Sequence, residues 1–403
     1  MTAAAETADD PAQRRHDEKR AIGVACGAHA LHDGYTDLIY VMLPIWQAEF
    51  GLGYAALGAM KSVFSGALAF FQIPSGFLAE RYGTPIVLAL GTALAGIGYI
   101  LAGFSHGFPL LVGALLVGGL GASTQHPLAS SLIAHAFSGK RSLKALGTYN
   151  FAGDIGKMVV PVAASLLFLV LPWREAVALL GLIGIGAAAA IYILIPRFRD
   201  HAVAAEKKTS AAGGPRQVRR FDFPLLLSVG VIDSATRMAF LTFLPFVLTA
   251  KGAGIQTVGV ALTLVFAGGA VGKLVCAYIG ARIGAVATVW LTETLTAVAI
   301  AAILPLSLEG AMVLLPIVGI ALNGTSSVLY GSVPELVEPS KRQRAFGIFY
   351  TGTIGAGAVS PFIYGLLGDV AGIPATLLVV AGVVLLTLPL TLVLRPALKN
   401  LTT

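Results

Sequence analysis

The sequence predicts an all-α polytopic membrane protein, with twelve transmembrane helices in two pseudo-symmetric six-helix bundles. Three observations predict it. Apolar segments of about 20 residues or more, long enough to cross a bilayer as helix, recur twelve times. Of the 27 Lys and Arg residues, 21 fall in the tails and alternate loops, Arg174 and Lys251 fall in the opposite loops, and four lie inside segments. That bias puts both termini in the cytoplasm. Finally, the halves repeat: Asp33 falls opposite Asp233, Pro44 near Pro245, Gly83 near Gly284, Gly147 opposite Gly347 and Pro161 opposite Pro361.

Composition agrees. The chain is 56% hydrophobic and 12% charged, against about 25% charged in a soluble domain. The net charge of +7 sits between apolar segments rather than on a soluble face, so no nucleic-acid partner is expected. Cys26 and Cys276 lie inside apolar segments and imply no disulfide framework.

In order, a polar tail of residues 1–20 is expected to be disordered. A first bundle over 21–196 holds segments 21–46, 54–79, 84–104, 108–135, 142–169 and 173–196. Residues 197–222 are polar, contain Gly213, Gly214 and Pro215, and read as a cytoplasmic linker. A second bundle over 223–395 holds segments 223–250, 254–280, 284–306, 310–334, 342–367 and 371–395. Residues 396–403 form a short cytoplasmic tail.

The first segment carries His29, His32, Asp33 and Asp37. His29, Asp33 and Asp37 share a face at i, i+4, i+8, and both acids lie near mid-membrane. A carboxyl alternating between a desolvated and a cation-paired setting can carry a proton, which makes Asp33 and then Asp37 candidates; the histidines read as packing residues. Lys61 in the second segment is expected to snorkel to the interface. The fourth brings Gln125-His126-Pro127, where Pro127 breaks the backbone ladder. His126 is a candidate proton carrier and Gln125 a cavity contact.

The fifth segment is the focus of the chain. Asp154 and Lys157 stand three residues apart on one helix face, and intramembrane charges are costly and usually functional. Gly147, Gly153 and Gly156 are spaced to let another helix approach closely. The second-half copy has Ile354 and Gly357 where the charges stood, so the repeat is scaffold and the charges are chemistry. Asp154 joins the proton-coupling candidates. Lys157 and, in the seventh segment, Arg237 reach similar depth and are expected to clamp an anion, with Asp154 and Asp233 neutralising them when the site is empty. Lys273 could snorkel or pair with Glu293. Asn150, Tyr35, Asn323 and Tyr330 complete the expected substrate contacts.

Residues 76–88, GFLAERYGTPIVL, resemble the loop motif of the major facilitator superfamily between its second and third helices. Gly76, Leu78, Ala79, Arg81, Gly83 and Leu88 match; Glu80 replaces the usual Asp, and Thr84 and Pro85 replace a basic pair. The resemblance implies a cytoplasmic latch made by Gly76, Glu80, Arg81 and Gly83. Residues 29–52, 124–134 and 146–158 are similar to the fosmidomycin resistance family of that superfamily. That resemblance implies proton-driven antiport exporting a small, drug-like and anionic compound across the inner membrane. An uptake symporter or exchanger of organic or inorganic anions is the alternative, and a transport-dead sensor or intramembrane enzyme is a third reading. The expected partners are protons, a small-molecule substrate and the lipid bilayer, for a monomer. No nucleotide-binding glycine loop is present, and neither a cofactor, a metal nor enzymatic activity is expected.

Overall fold

The computed structural model describes residues 11–137, 139–196, 220–338 and 341–398. Nearly all of the linker expected at 197–222 lies outside them, as do residues 1–10 and 399–403 of the tails. The helices are α1 Pro11–Phe50, α2 Tyr54–Tyr82, α3 Thr84–Gly103, α4 Phe108–Ala122, α5 Gln125–Ala136, α6 Gly139–Leu167, α7 Trp173–Leu194, α8 Asp222–Ala250, α9 Ile255–Ile283, α10 Ala285–Ile303, α11 Leu308–Ser332, α12 Arg342–Ala371, α13 Ile373–Val384 and α14 Thr387–Leu398.

The polar tail is shorter than the sequence suggests, because α1 already begins at Pro11. Proline is at home in a first turn, and residues 11–20 are rich in helix formers. Two contacts hold this extension. Arg141 donates to Glu18 at 2.5 Å, and Arg20 donates to the carbonyls of Ile193 and Leu194 at the end of α7.

Two expected segments are split. The fourth becomes α4 and α5, and the twelfth becomes α13 and α14. Each split lies four residues before a proline, at Ser123 before Pro127 and at Leu385 before Pro389. A proline ring clashes with that carbonyl and supplies no N–H. Gly83 and Gly284 turn α2 into α3 and α9 into α10 at φ 89° and 87°, a backbone that glycine adopts without strain.

Ten spans are long and apolar enough to cross a membrane among the described residues, α4 with α5 and α13 with α14 each counting as one. α1 and α6 are absent from that set, since the charged and polar side chains along them lower their hydropathy. Helices α1 to α7 pack mainly on one another, as α1 on α6 and α3 on α7; in the second half α11 packs on α9 and α12 on α8. The halves meet along two seams, α2 on α12 and α6 on α9.

Both seams are tight at the end away from the termini. There Asp369 of α12 accepts from the backbone N–H groups of Tyr54 (2.5 Å) and Ala55 (3.1 Å) at the start of α2. Gln256 donates to the Ser165 carbonyl at 3.2 Å and Thr263 to that of Met158 at 2.7 Å. Gly58 lies against the Pro361 carbonyl, where no side chain would fit. Toward the end bearing the termini, α6 and α9 are joined by Lys273 and Asp154. Glu80 and Arg81 are exposed there, and Arg81 rests over the Tyr82 ring. In the loop of Gly76, Glu80, Arg81 and Gly83 the two charged side chains are thus solvent-facing in this structure, with Arg81 held by its own helix end. A carboxylate on a foreign helix N-terminus, the chemistry expected of Glu80, is made by Asp369 at the opposite end.

Candidate functional site

Glycine sets the site. Gly156 of α6 lies against the backbone of Ala30 in α1, and Gly34 of α1 lies against Val160 of α6. A Cβ at Gly153 would stand 2.7 Å from both Asp33 Oδ2 and the His29 ring. The two helices that carry the charges are thus pressed together without intervening side chains. Gly147, by contrast, meets nothing within 4 Å, so it is not one of the close-approach glycines.

Asp33 is the hub. Its Oδ2 is 3.3 Å from Lys157 Nζ and 3.2 Å from His29 Nε2, and its Oδ1 is 3.8 Å from His126 Nε2. The carboxylate is buried, whereas the His126 side chain is 43% exposed and forms the wet edge of the cluster. His29 stacks on Tyr149 with 4.0 Å between ring centroids, and its Nδ1 is 2.8 Å from the Tyr149 carbonyl. His29 is therefore a member of the site rather than a packing residue. His32 does pack, with Nε2 2.9 Å from Thr92 Oγ1.

The ion pairs differ from those expected within one helix. Lys157 turns to Asp33, and Asp154 receives Lys273 of α9 at 2.6 and 2.8 Å through both oxygens. The reason is the α6 geometry: Gly153 and Gly156 put α1 within reach of Lys157, while α9 packs on another side of α6. Lys273 is taken by Asp154 rather than by Glu293, whose carboxyl meets Asp233. Asp233 thus does not form a 4 Å ion pair with Arg237; half-buried Arg237 has no such partner among the described residues. Lys61 does not snorkel. It is fully buried, donates to the Thr36 carbonyl at 2.7 Å and sits 4.3 Å over the Tyr40 ring, in the field of buried Asp37.

The expected substrate contacts divide. Tyr35 is buried in the first half, donating to the Leu180 carbonyl and receiving Tyr99 on its own carbonyl; it is structural. Gln125 is fully buried with both amide atoms unpartnered among the described residues. Asn150 is exposed on α6. Asn323 donates to the Gly319 carbonyl at 3.2 Å and half-buried Tyr330 lies against Phe349 and Tyr350. Sequence reading passed over Tyr149, whose carbonyl and ring fix His29; its position four residues before Gly153 was the available signal.

His29, Asp33 and His126 offer ligand atoms within 4.8 Å of one another, which could hold a metal. The Lys157 ammonium already supplies the positive charge at Asp33, so the cluster suits a proton better than a dication.

The sequence profile of the Major Facilitator Superfamily matches residues 25–229 and 225–402. The chain is similar to a probable L-galactonate transporter of Escherichia coli K12, 29% identical over 57% of this chain and 54% of that protein, and so spans about half of that relative's length. It is 25% identical to the fosmidomycin resistance protein of the same organism over 86% of each chain. In fold it is similar to a bacterial homologue of the human lysosomal transporter Spinster, solved inward-facing and occupied; the TM-score is 0.81 at 15% identity, over 96% of this chain and 98% of that one.

Proposed function

This chain belongs to the Major Facilitator Superfamily, and from that premise we propose that it moves a small organic anion together with a proton by alternating access. One observation carries the reading. His29 Nδ1 faces a carbonyl, which only accepts, so that nitrogen bears a hydrogen. In a neutral ring Nε2 then offers only a lone pair, yet it lies 3.2 Å from a carboxylate oxygen of Asp33. Either the ring or Asp33 carries one more proton, so the pair holds a dissociable proton between its members.

Lys157 links that proton to the anion. Asp33 and an incoming carboxylate or phosphonate compete for the same ammonium. The ammonium beside Asp33 opposes the proton on the His29–Asp33 pair, so an anion that takes Lys157 tightens the pair's hold on that proton. Anion and proton therefore favour each other's binding and travel the same way. Arg237, with no carboxylate within 4 Å among the described residues, supplies the second contact, and its planar fork suits a carboxylate or phosphonate. In this reading His126 and Asn150 line the approach, and buried Asp37 and Gln125 stand behind it.

The rest of the topology follows from the basic residues. With twelve spans, two bundles over 21–196 and 223–395 and a cytoplasmic linker, the termini lie in the cytoplasm and the parted end faces it, as expected for a monomer in an inner membrane. Glu80 and Arg81 latch the halves only after that end closes.

Proton antiport exporting a drug-like anion is the second reading, favoured by the 86% overlap with the fosmidomycin resistance protein. Purified protein in proteoliposomes separates the two. With an inward proton gradient, L-galactonate and fosmidomycin are offered in turn. Symport predicts uptake along the proton gradient with acidification of the lumen. Extrusion of either probe against proton entry supports antiport, and transport indifferent to the gradient ends both.

A further inference from the structure

The second half carries a buried acidic pair that the transport cycle above does not use. Asp233 of α8 and Glu293 of α10 are 5% and 1% exposed, and their side chains meet. Glu293 Oε1 has no hydrogen-bond donor among the described residues. Two further buried oxygens share these faces: Thr236 Oγ1, three residues after Asp233, and Thr296 Oγ1, three residues after Glu293, and both are unpartnered. Around them stand Arg237 on α8, which acts on both carboxyls from a distance, Thr325 and Tyr330 on α11, and Thr292 on α10. Thr325 donates to Thr292 at 2.7 Å. Among the described residues no lysine reaches the pair within 4 Å.

Two ionised carboxylates cannot donate to one another. The Thr325 hydroxyl reaches the Glu293 carboxyl but Oε1 has no donor among the described residues, so two carboxylates facing each other out of water repel strongly unless one proton joins them. We propose that Asp233 and Glu293 hold a dissociable proton between them, a second proton site in the second half, separate from the Asp33 cluster. Arg237 connects it to the cavity. An anion bound on Arg237 removes part of the positive field that both carboxyls feel, so it tightens the shared proton; this coupling rests on the anion reading above, whereas the proton site itself does not. The second half thus repeats, with different residues, the arrangement of an acid in the helix that opens the half. Asp33 meets histidines and a lysine, and Asp233 meets another acid.

Infrared difference spectroscopy of the purified protein through a pH titration tests it. The wild type should show the carbonyl stretch of a buried protonated carboxyl, retained in Asp33→Asn and lost in Glu293→Gln. If Glu293→Gln does not fold, Asp233→Asn removes the same shared proton and is read in the same way. A band unchanged in the second-half variant overturns the proposal. So does a rise in melting temperature on replacing choline by sodium that Glu293→Gln abolishes, since the occupant is then sodium. The anion reading fails on a different result, wild-type affinity for fosmidomycin and L-galactonate in both Arg237→Lys and Lys157→Ala.

Discussion

Lys273 of α9 grips Asp154 of α6 through both carboxylate oxygens, at 2.6 and 2.8 Å, and so ties one half of the protein to the other. Among the inter-half hydrogen bonds it is the one that lies nearest the parted end along α9. The lysine side chain is 41% exposed and the acid 12%, so the pair sits between a buried and a surface ion pair. Opening the far end separates α6 from α9 and must break it.

Removing one partner should therefore weaken the present conformation by an amount between the ~1 kcal/mol of an exposed pair and the ~3–5 kcal/mol of a buried one. Lys273→Ala and Asp154→Asn should each lower the melting temperature, and the exchange Asp154→Lys with Lys273→Asp should recover part of the loss. Additive losses in the double variant, measured by thermal unfolding, would show that the two residues act independently.

Asp369 makes the second tie. Its carboxylate accepts from two free N–H groups at the start of α2, and capping of this kind stabilises by about 1 kcal/mol. Asp369→Asn should loosen the far end. Thiol labelling at Gln256→Cys, in a background without Cys26 and Cys276, should speed up by a few-fold. An unchanged labelling rate would assign closure to the α6–α9 seam alone.

Gly156→Ala should be costly, because the added methyl meets the Ala30 backbone. Overpacking of this sort costs about 1–3 kcal/mol. Gly147→Ala, with open space around it, should be neutral within ~0.5 kcal/mol. Equal melting temperatures for the two variants would contradict the packing described for the α1–α6 seam.

Much of this was legible in the sequence. The helical class, the charges of α1 and α6 and the close approach at Gly153 and Gly156 all follow from residue type and spacing. Partner choice does not. Asp154 and Lys157 are neighbours on one helix, and helical periodicity pairs them; only the packing of α1 and α9 against α6 shows that each turns elsewhere. Lys61 looked like a surface lysine by depth, since burial by α1 is a tertiary fact. Tyr35 looked available because its partners, Leu180 and Tyr99, are more than 60 residues away in sequence. The state of the latch at Glu80 is not encoded locally at all, because it depends on which end of the molecule is closed.

Arg237→Lys should weaken binding of an anionic probe by roughly tenfold, about 1.4 kcal/mol, because a point charge cannot replace the fork. Lys157→Ala should weaken it more. Calorimetry with L-galactonate and with fosmidomycin reads both. Wild-type affinity in the two variants, or preference for a cationic compound, would remove the basic pair from the binding site.

In the proposed cycle the proton on the His29–Asp33 pair couples transport to the gradient. Asp33→Asn in proteoliposomes tests it most directly, with gradient-driven uptake and counterflow exchange of one labelled anion measured on the same preparation. Gradient-driven uptake should be lost while exchange continues, since Lys157 and Arg237 remain to bind the anion. Gradient-driven accumulation at the wild-type rate would contradict it.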